Sequence, residues 1–125
     1  MNFTIKNLPD TYCDKVIGTS FFGVTIGTTV NELKDLFSYY KISPVHECAD
    51  KSEKVSIEWW ILVNDLDNNR KFAVTLYDYD HYNMADHPNE HYRFHIGSNS
   101  IEESEYFRTV MIQLFKQRGL DTECM

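Results

Sequence analysis

The sequence predicts an α+β fold: a single-domain antiparallel sheet with two helices packed on one face. Two segments that begin with an S/T-x-x-E capping pattern continue with helical spacing of apolar residues. Several other segments alternate in the manner of half-buried strands, and the order β-α-β-β-β-α favours antiparallel pairing. A length of 125 residues, without a linker or repeat, indicates that residues 1–125 form one domain.

The first 40 residues predict one or two short strands followed by a helix. Apolar residues alternate weakly at the start, and the glycines of segment 18–29 mark positions that need positive φ or lack room for a side chain. Thr29 and Glu32 form the first capping box, and apolar spacing then predicts a helix over about 30–40. Pro44 ends this region, and the polar segment 46–54 is expected to be an exposed loop.

The middle of the chain predicts a hairpin. Residues 54–63 alternate with apolar side chains on both faces, which indicates a strand near the centre of the sheet. The turn-forming residues 64–70 lead into a second strand over 71–79. Segment 80–90 contains a proline and many polar residues, so it predicts a surface loop of the kind that often carries binding residues.

A short strand and the longest helix complete the prediction. Residues 92–96 alternate, the turn Gly97 to Asn99 follows, and a second capping box leads into a helix over about 101–118. Gly119 is a typical residue after a helix end, and the last six residues are expected to fray.

Charge and cysteine content exclude several classes of function. Twelve Lys and Arg against nineteen Asp and Glu give a formal net charge of −7, which argues against nucleic acid or a membrane surface as partner. Cys13, Cys48 and Cys124 form no C-x-x-C pair and predict neither a disulfide framework nor a zinc ribbon. Because the first residues lack a signal-peptide pattern, we expect a cytoplasmic protein.

The turn Gly97 to Asn99 is a candidate anion site. Free N–H groups and the positive end of a helix dipole favour a phosphate or carboxylate there. The alternative is a plain capped turn, because Ser100 and Glu103 satisfy the helix end and first-turn acids already supply negative charge.

A candidate polar pair lies on the face of the sheet opposite the apolar residues. Alternation places Arg93 and His95 there in one strand, and Glu58 and Trp60 in another. A Glu58–His95 pair would form an acid/base couple or orient a ligand, since a carboxylate raises the imidazole pKa and fixes its tautomer. A structural hydrogen bond between strands is the alternative.

Two tyrosines suit a flat ligand. Tyr77 and Tyr79 share one face of a strand, whereas Asp78 and Asp80 share the other, where they would accept hydrogen bonds from a sugar or base. A half-buried edge strand with polar tips is the alternative.

Metal binding and nucleophilic catalysis have no support in the sequence. Residues His87, His91 and His95 are spaced by four, but Pro88 argues against a helix there, and no H-E-x-x-H or C-x-x-C motif is present. No nucleophile elbow or phosphate-binding glycine loop occurs. We therefore expect no cofactor and no metal.

Four segments of the chain resemble a family of small uncharacterised accessory proteins of tailed phages. That family combines G-T-S/T-x-x-G, a strand with Glu-Trp, an I-Y-D-Y-like string and W-H-I-G-G before the last helix. The corresponding segments here are Gly18 to Gly23, Glu58-Trp59, Leu76 to Tyr79 and Phe94 to Ser98. The resemblance spans about residues 17 to 110. Two positions depart from the family pattern, since Phe94 replaces the tryptophan and Ser98 the second glycine.

The resemblance implies a phage-type accessory protein. Phages use small folds of this size to sequester nucleotide messengers of bacterial immunity, so our leading hypothesis is a non-catalytic module that binds a small anionic nucleotide in the host cytoplasm. The alternatives are an acidic inhibitor of a host defence protein and a small nucleotide hydrolase. Because small sequestering proteins often build pockets between subunits, a homo-oligomer is compatible with the leading hypothesis, although no residue pattern supports it. The predicted ligand-binding residues are Thr19, Ser20, Glu58, Trp60, Tyr77, Tyr79, Arg93, His95, Gly97, Ser98 and Asn99.

Overall fold

A computed structural model of the protein describes residues 1–16, 18–48, 54–80 and 83–125, apart from the side chains of Cys13 and Lys15. Within these ranges the chain forms one antiparallel six-stranded sheet and two α-helices, which confirms the predicted α+β class. The strands are β1 (Phe3–Asn7), β2 (Ser20–Thr28), β3 (His46–Glu47), β4 (Ile57–Asp65), β5 (Arg70–Tyr77) and β6 (Tyr92–Ser98). The helices are α1 (Val30–Ser38) and α2 (Ile101–Gln117), and short 3₁₀ helices cover Asp10–Val16 and Met84–Asp86.

Both α-helices begin at the capping boxes that the sequence predicts. The Thr29 hydroxyl accepts a hydrogen bond from the Glu32 N–H at 3.1 Å, and the Ser100 hydroxyl accepts one from the Glu103 N–H at 3.2 Å. These bonds satisfy N–H groups that have no partner within the first turn. The helices therefore begin where the sequence signals them, and they end within two residues of the predicted positions.

The sheet has the strand order β1-β4-β5-β6-β2, and β3 pairs with β4 outside this path. The hairpin of β4 and β5 is confirmed, and β4 lies inside the sheet between β1 and β5. Register places His95 of β6 opposite Tyr77 of β5, and Tyr77 opposite Glu58 of β4. One row of side chains thus crosses three neighbouring strands.

The main core lies between the sheet and both α-helices. The Trp59 ring of β4 contacts Phe37 of α1 at a centroid distance of 5.7 Å and Phe94 of β6 at 6.3 Å. Phe107 and Phe115 of α2 are fully buried in the same cluster. Both helices therefore pack on one face of the sheet, as predicted.

The opposite side of the sheet, which we call the outer face, is partly covered by the first 3₁₀ helix. Leu8, Leu62 and Ala73 form a small buried cluster there, with Val16 and Trp60 packed against it. The sequence did not indicate this 3₁₀ helix, because its residues show no helical spacing. The rest of the outer face, near the end of β5, is open.

Two sequence-based expectations need correction, one about the last residues and one about a loop. The last residues do not fray, because the Gly27 N–H donates to the Met125 carbonyl at 3.3 Å and the Met125 side chain is only 6% exposed. The predicted surface loop 80–90 contains a buried residue, Met84, in a 3₁₀ turn. Residues 49–53 and 81–82 of the two predicted loops lie outside the described ranges.

Within the described ranges, neither α1 nor α2 combines the length and apolar character needed to cross a bilayer.

Candidate functional site

Four aromatic rings meet on the outer face, and we call them the ring cluster: Phe21, Tyr77, Tyr79 and His95. The His95 imidazole stacks on Phe21 at a centroid distance of 4.1 Å and an interplanar angle of 8°. It stacks on Tyr79 at a centroid distance of 5.7 Å with an interplanar tilt of 29°, and it meets Tyr77 edge-on at 5.5 Å. The four rings line an open cleft of about 320 Å³.

Strand alternation and register create the ring cluster. Phe94 and Ile96 of β6 are fully buried in the core, so His95 between them lies on the outer face. β5 brings Tyr77 beside it, and β2 brings Phe21 to the neighbouring position opposite Gly97. Because Gly97 has no side chain, the rings approach the backbone, and a Cβ there would overlap the Thr75 hydroxyl.

Tyr79 is held in the ring cluster by contacts outside it. Its backbone N–H donates to the Tyr92 hydroxyl at 3.1 Å, and that hydroxyl donates to the Tyr79 carbonyl at 3.3 Å. The Lys54 ammonium lies 5.9 Å from the centre of the Tyr79 ring, which is within cation–π range. The ring is still 38% exposed, so it is fixed in place and open to solvent.

The surroundings of the His95 imidazole favour its uncharged form. Burial among the rings lowers its pKa below the ordinary value, and the Asp78 carboxylate opposes that shift only in part. A neutral imidazole stacks as an aromatic ring and offers one donor and one acceptor nitrogen. The lowered pKa does not favour His95 as a source of positive charge for a ligand.

A second, more polar cleft of about 210 Å³ adjoins the ring cluster and shares three of its rings. The first 3₁₀ helix, β2, β4, β5 and β6 all contribute to its lining. It brings together six of the predicted site residues, namely Thr19, Ser20, Glu58, Tyr77, Tyr79 and Gly97. Its lining residues are Val16, Thr19, Ser20, Phe21, Val55, Glu58, Thr75, Tyr77, Tyr79 and Gly97.

Glu58 and His95 do not form the couple that the sequence suggested. Tyr77 lies between them, which separates their strands by two spacings, or roughly 10 Å. The Glu58 carboxylate instead accepts a hydrogen bond from the Trp60 indole N–H at 2.6 Å. Burial raises the pKa of the Tyr77 phenol, and the Glu58 charge adds to this effect. Tyr77 therefore keeps its hydroxyl proton and offers a donor beside the carboxylate.

The turn Gly97 to Asn99, which the sequence suggested as an anion site, has few free hydrogen-bond donors. The Asn99 N–H donates to the Glu103 carboxylate at 3.3 Å, and Gly97 lies in the sheet between β5 and β2. Ser98 is fully buried, and its hydroxyl donates to the Ser100 carbonyl at 2.6 Å. The capped-turn alternative fits this geometry, and Ser98 and Asn99 lie away from both clefts.

Asp78 is a structural residue and does not face a ligand. Its carboxylate is fully buried and accepts hydrogen bonds from the N–H groups of Ser56 (2.8 Å), Ile57 (3.0 Å) and Met84 (2.9 Å), and from the Ser56 hydroxyl (2.5 Å). It thereby ties the start of β4 and the second 3₁₀ helix to the end of β5. The expectation that this acid binds a sugar or base is wrong, and its actual role is to fix the chain between Tyr77 and Tyr79.

Two further predicted residues lie beside the clefts and not within them. Trp60 packs beneath the first 3₁₀ helix and positions Glu58 through its indole N–H. Arg93 extends toward the last residues, where its guanidinium makes long 3.4 Å contacts with the carbonyls of Cys124 and Met125. Neither side chain lines either cleft.

Sequence reasoning missed three residues of the site, namely Phe21, Lys54 and Thr75. Phe21 directly follows the predicted pair Thr19 and Ser20, and this adjacency is the signal that the sequence offers. The structure leaves Phe21 42% exposed on its strand. Thr75 becomes a neighbour of the rings only through strand register, and Lys54, which precedes β4, only through the folding of the chain. The sequence contains neither signal.

The described residues contain no cluster of three or more His, Cys, Asp or Glu side chains that would hold a metal ion. Comparison with family models, curated proteins and solved structures finds no match to this chain. We therefore infer function from the geometry of the clefts.

Proposed function

We propose that the protein is a non-catalytic binding module that holds a small nucleotide by stacking its base on the ring cluster. The observation that carries this proposal is the arrangement of Phe21, Tyr77, Tyr79 and His95 around one open cleft. Such rings bind flat heterocycles, because every base has a π-face, and each stacked base contributes about 1–3 kcal/mol.

The polar cleft beside the rings supplies groups for the edge of a base. The Glu58 carboxylate accepts hydrogen bonds from base N–H groups, and the hydroxyls of Thr19 and Ser20 serve as donors or acceptors. A few polar groups next to aromatic walls are typical of small-molecule sites. This combination favours a base over a simple hydrocarbon.

The surroundings of His95 favour a role in ligand binding over a role in catalysis. A hydrolase would need a second group to orient or accept protons from the imidazole. The ring contacts of His95 are made with Phe21, Tyr77 and Tyr79. The Asp78 carboxylate, which acts on its pKa, is buried and bonded to backbone N–H groups, and Glu58 is two strands away and bonded to Trp60. Sequestration in the host cytoplasm by a phage-type accessory protein is the biological role that we propose for this binding.

The direct test is a thermal-shift assay with cyclic dinucleotides, cyclic trinucleotides and ADP-ribose. A ligand at 100 times its Kd should stabilise the protein by about 2.7 kcal/mol, which raises the Tm by on the order of 10 °C. Mass spectrometry of ligand released by heat should recover it unchanged. A hydrolysed product would favour the hydrolase, and the absence of any shift would contradict the proposal.

Matched variants separate the ring cluster from general surface effects. Phe21→Ala should weaken binding by about 1–3 kcal/mol, because it removes one stacking ring. Leu66→Ala, which truncates another exposed apolar residue at the β4–β5 turn, should leave the shift unchanged. Equal ligand-induced Tm shifts in Phe21→Ala and Leu66→Ala would show that the ligand binds outside the ring cluster.

A protein partner is the second candidate, because Phe21 and its neighbour Phe22 are 42% and 39% exposed. Adjacent exposed aromatic residues are frequent at protein interfaces. A host defence protein captured in a salt-sensitive manner, together with no nucleotide shift, would favour an acidic inhibitor. If the wild type captures a host protein and the Phe21→Ala variant does not, the interface includes the ring cluster.

A further inference from the structure

A third cleft, of about 480 Å³, opens at the edge of β2 beside the ring cluster. Register between β2 and β6 shifts between Phe21 and Thr25, and Gly23 within this irregularity has φ +84°. Space around Gly23 is open, since a Cβ there would meet no atom within 4 Å. The cleft is lined by Gly23, Val24, Thr25, Arg93, Glu105, Arg108 and Thr109.

Two arginines give this cleft positive charge in an acidic protein. The Arg108 Nε–H donates to the Thr25 carbonyl at 3.0 Å, and the Arg93 guanidinium makes its two long contacts with carbonyls of the tail. Within the described part of the chain, neither arginine belongs to a salt bridge. Glu105 offsets part of the charge, and two guanidinium groups against one carboxylate leave the lining of this cleft net positive.

The arginine cleft lies next to the ring cluster at the edge strand β2. The two share no lining residue, and Arg108 reaches this edge from the helix side of the sheet. Arg93 lies two residues from His95 on the outer face of β6, which separates their backbones by roughly 7 Å. Thr25 lies opposite His95 in the same register, and Phe21 stands at the other end of the β2 irregularity. The ribose of a nucleotide separates its base from its phosphates by a comparable length.

We propose that Arg93 and Arg108 form the phosphate-binding part of the site, so that the base stacks on the ring cluster and the phosphates enter the arginine cleft. This inference depends on the proposed function. Guanidinium groups match phosphate oxygens with paired donors, and Arg108 keeps its outer nitrogens for a ligand while its Nε binds Thr25. The long Arg93 contacts are weak, so a phosphate competes with them readily.

The arginine cleft gives the phosphates a position that the first two clefts do not offer. Glu58 repels phosphate, and the donors of the turn near Asn99 are occupied. The arginine cleft lies at the opposite side of the ring cluster from Glu58, because β5 and β6 stand between β4 and β2. Base and phosphate are thus drawn to different sides of the rings.

The test compares adenosine, pyrophosphate and ADP by calorimetric titration at 50 and 300 mM NaCl. We expect ADP to bind more tightly than adenosine, and the difference to shrink at high salt. Arg108→Gln and Arg93→Gln should each weaken ADP binding by about tenfold or more, without changing the affinity for adenosine. Lys116→Gln removes one exposed charge from the same helix and should change neither affinity.

The outcomes distinguish the two proposals. If adenosine and ADP bind equally and the arginine variants have no effect, the phosphate assignment is overturned and the ring-cluster proposal stands. If pyrophosphate binds to the wild type and not to Arg108→Gln, while adenosine and ADP do not bind, the cleft is an anion site and base stacking is overturned. If no probe binds, the phosphate assignment is overturned, and the ring-cluster proposal is overturned with it when no cyclic dinucleotide, cyclic trinucleotide or ADP-ribose shifts the Tm. Should Arg108→Gln fail to fold, Arg93→Gln carries the test, because Arg93 is exposed and its contacts are long.

Discussion

The buried carboxylate of Asp78 provides a sharp test of how this fold holds its site. Asp78→Ala removes an acceptor used by three backbone N–H groups, those of Ser56, Ile57 and Met84, and by the Ser56 hydroxyl. These bonds join the start of β4, the second 3₁₀ helix and the end of β5. The substitution should therefore loosen the segment that presents Tyr77 and Tyr79.

The expected loss of stability follows from the number of buried N–H donors that Asp78→Ala leaves without an acceptor. A buried donor without a partner costs about 1–3 kcal/mol, so three backbone donors would cost roughly 3–9 kcal/mol if none found a new partner. Water entering the space of the carboxylate offsets part of this, and we expect a net loss of about 3 kcal/mol. Asp78→Asn should lose less, because one oxygen is kept, but its amide cannot accept the Met84 N–H.

Urea unfolding measures this loss. With an m-value of about 1–3 kcal/mol per M, the midpoint for Asp78→Ala should fall by about 1–3 M at unchanged m. Asp35→Ala is the matched control, because it breaks the exposed Arg118–Asp35 salt bridge and should cost less than about 1 kcal/mol. Equal midpoints for the Asp78→Ala and Asp35→Ala variants would refute the structural role of Asp78.

Three further predictions concern stability. Gly97→Ala should destabilise the protein by about 1–3 kcal/mol in the same assay, because its Cβ would overlap the buried Thr75 hydroxyl, and an unchanged midpoint would contradict this packing. Ser100→Ala should cost about 1 kcal/mol by removing the cap of α2, whereas Thr109→Ala, at an exposed position of that helix, should cost less. Because burial lowers the pKa of His95 in the folded state, the unfolded state binds a proton first as the pH falls below about 6.5. The Tm of the wild type should then fall more steeply between pH 7 and pH 5 than that of His95→Gln, and parallel curves would contradict the assignment.

Local signals in the sequence predicted much of the fold. The two S/T-x-x-E boxes located the helix starts because the capping bonds are made within four residues. Side-chain alternation along β6 placed His95 on the outer face, and this signal too involves only neighbouring residues. The 3₁₀ helix over Asp10–Val16 was missed since it packs through Val16 onto a distant part of the sheet, a contact that no spacing encodes.

The site was only partly predictable. Tyr77, Tyr79 and His95 were identified from residue type and parity, and the structure places them together. Asp78 was misassigned because its partners come from residues 56–57 and 84, which the chain brings together only in the folded state. The role of Arg108 in a shared cleft with Arg93 depends on how α2 lies against the edge of β2, which no pattern in the sequence specifies.

An NMR titration of protein with labelled aromatic rings tests the central claim most directly, using cyclic dinucleotides, cyclic trinucleotides and ADP-ribose as ligands. Our account predicts ring-current shifts at Phe21, Tyr79 and His95 on addition of a ligand that binds, and none at His46 or Tyr39, which lie outside the ring cluster. Shifts confined to residues outside the ring cluster, or no shift with any of these ligands, would contradict it.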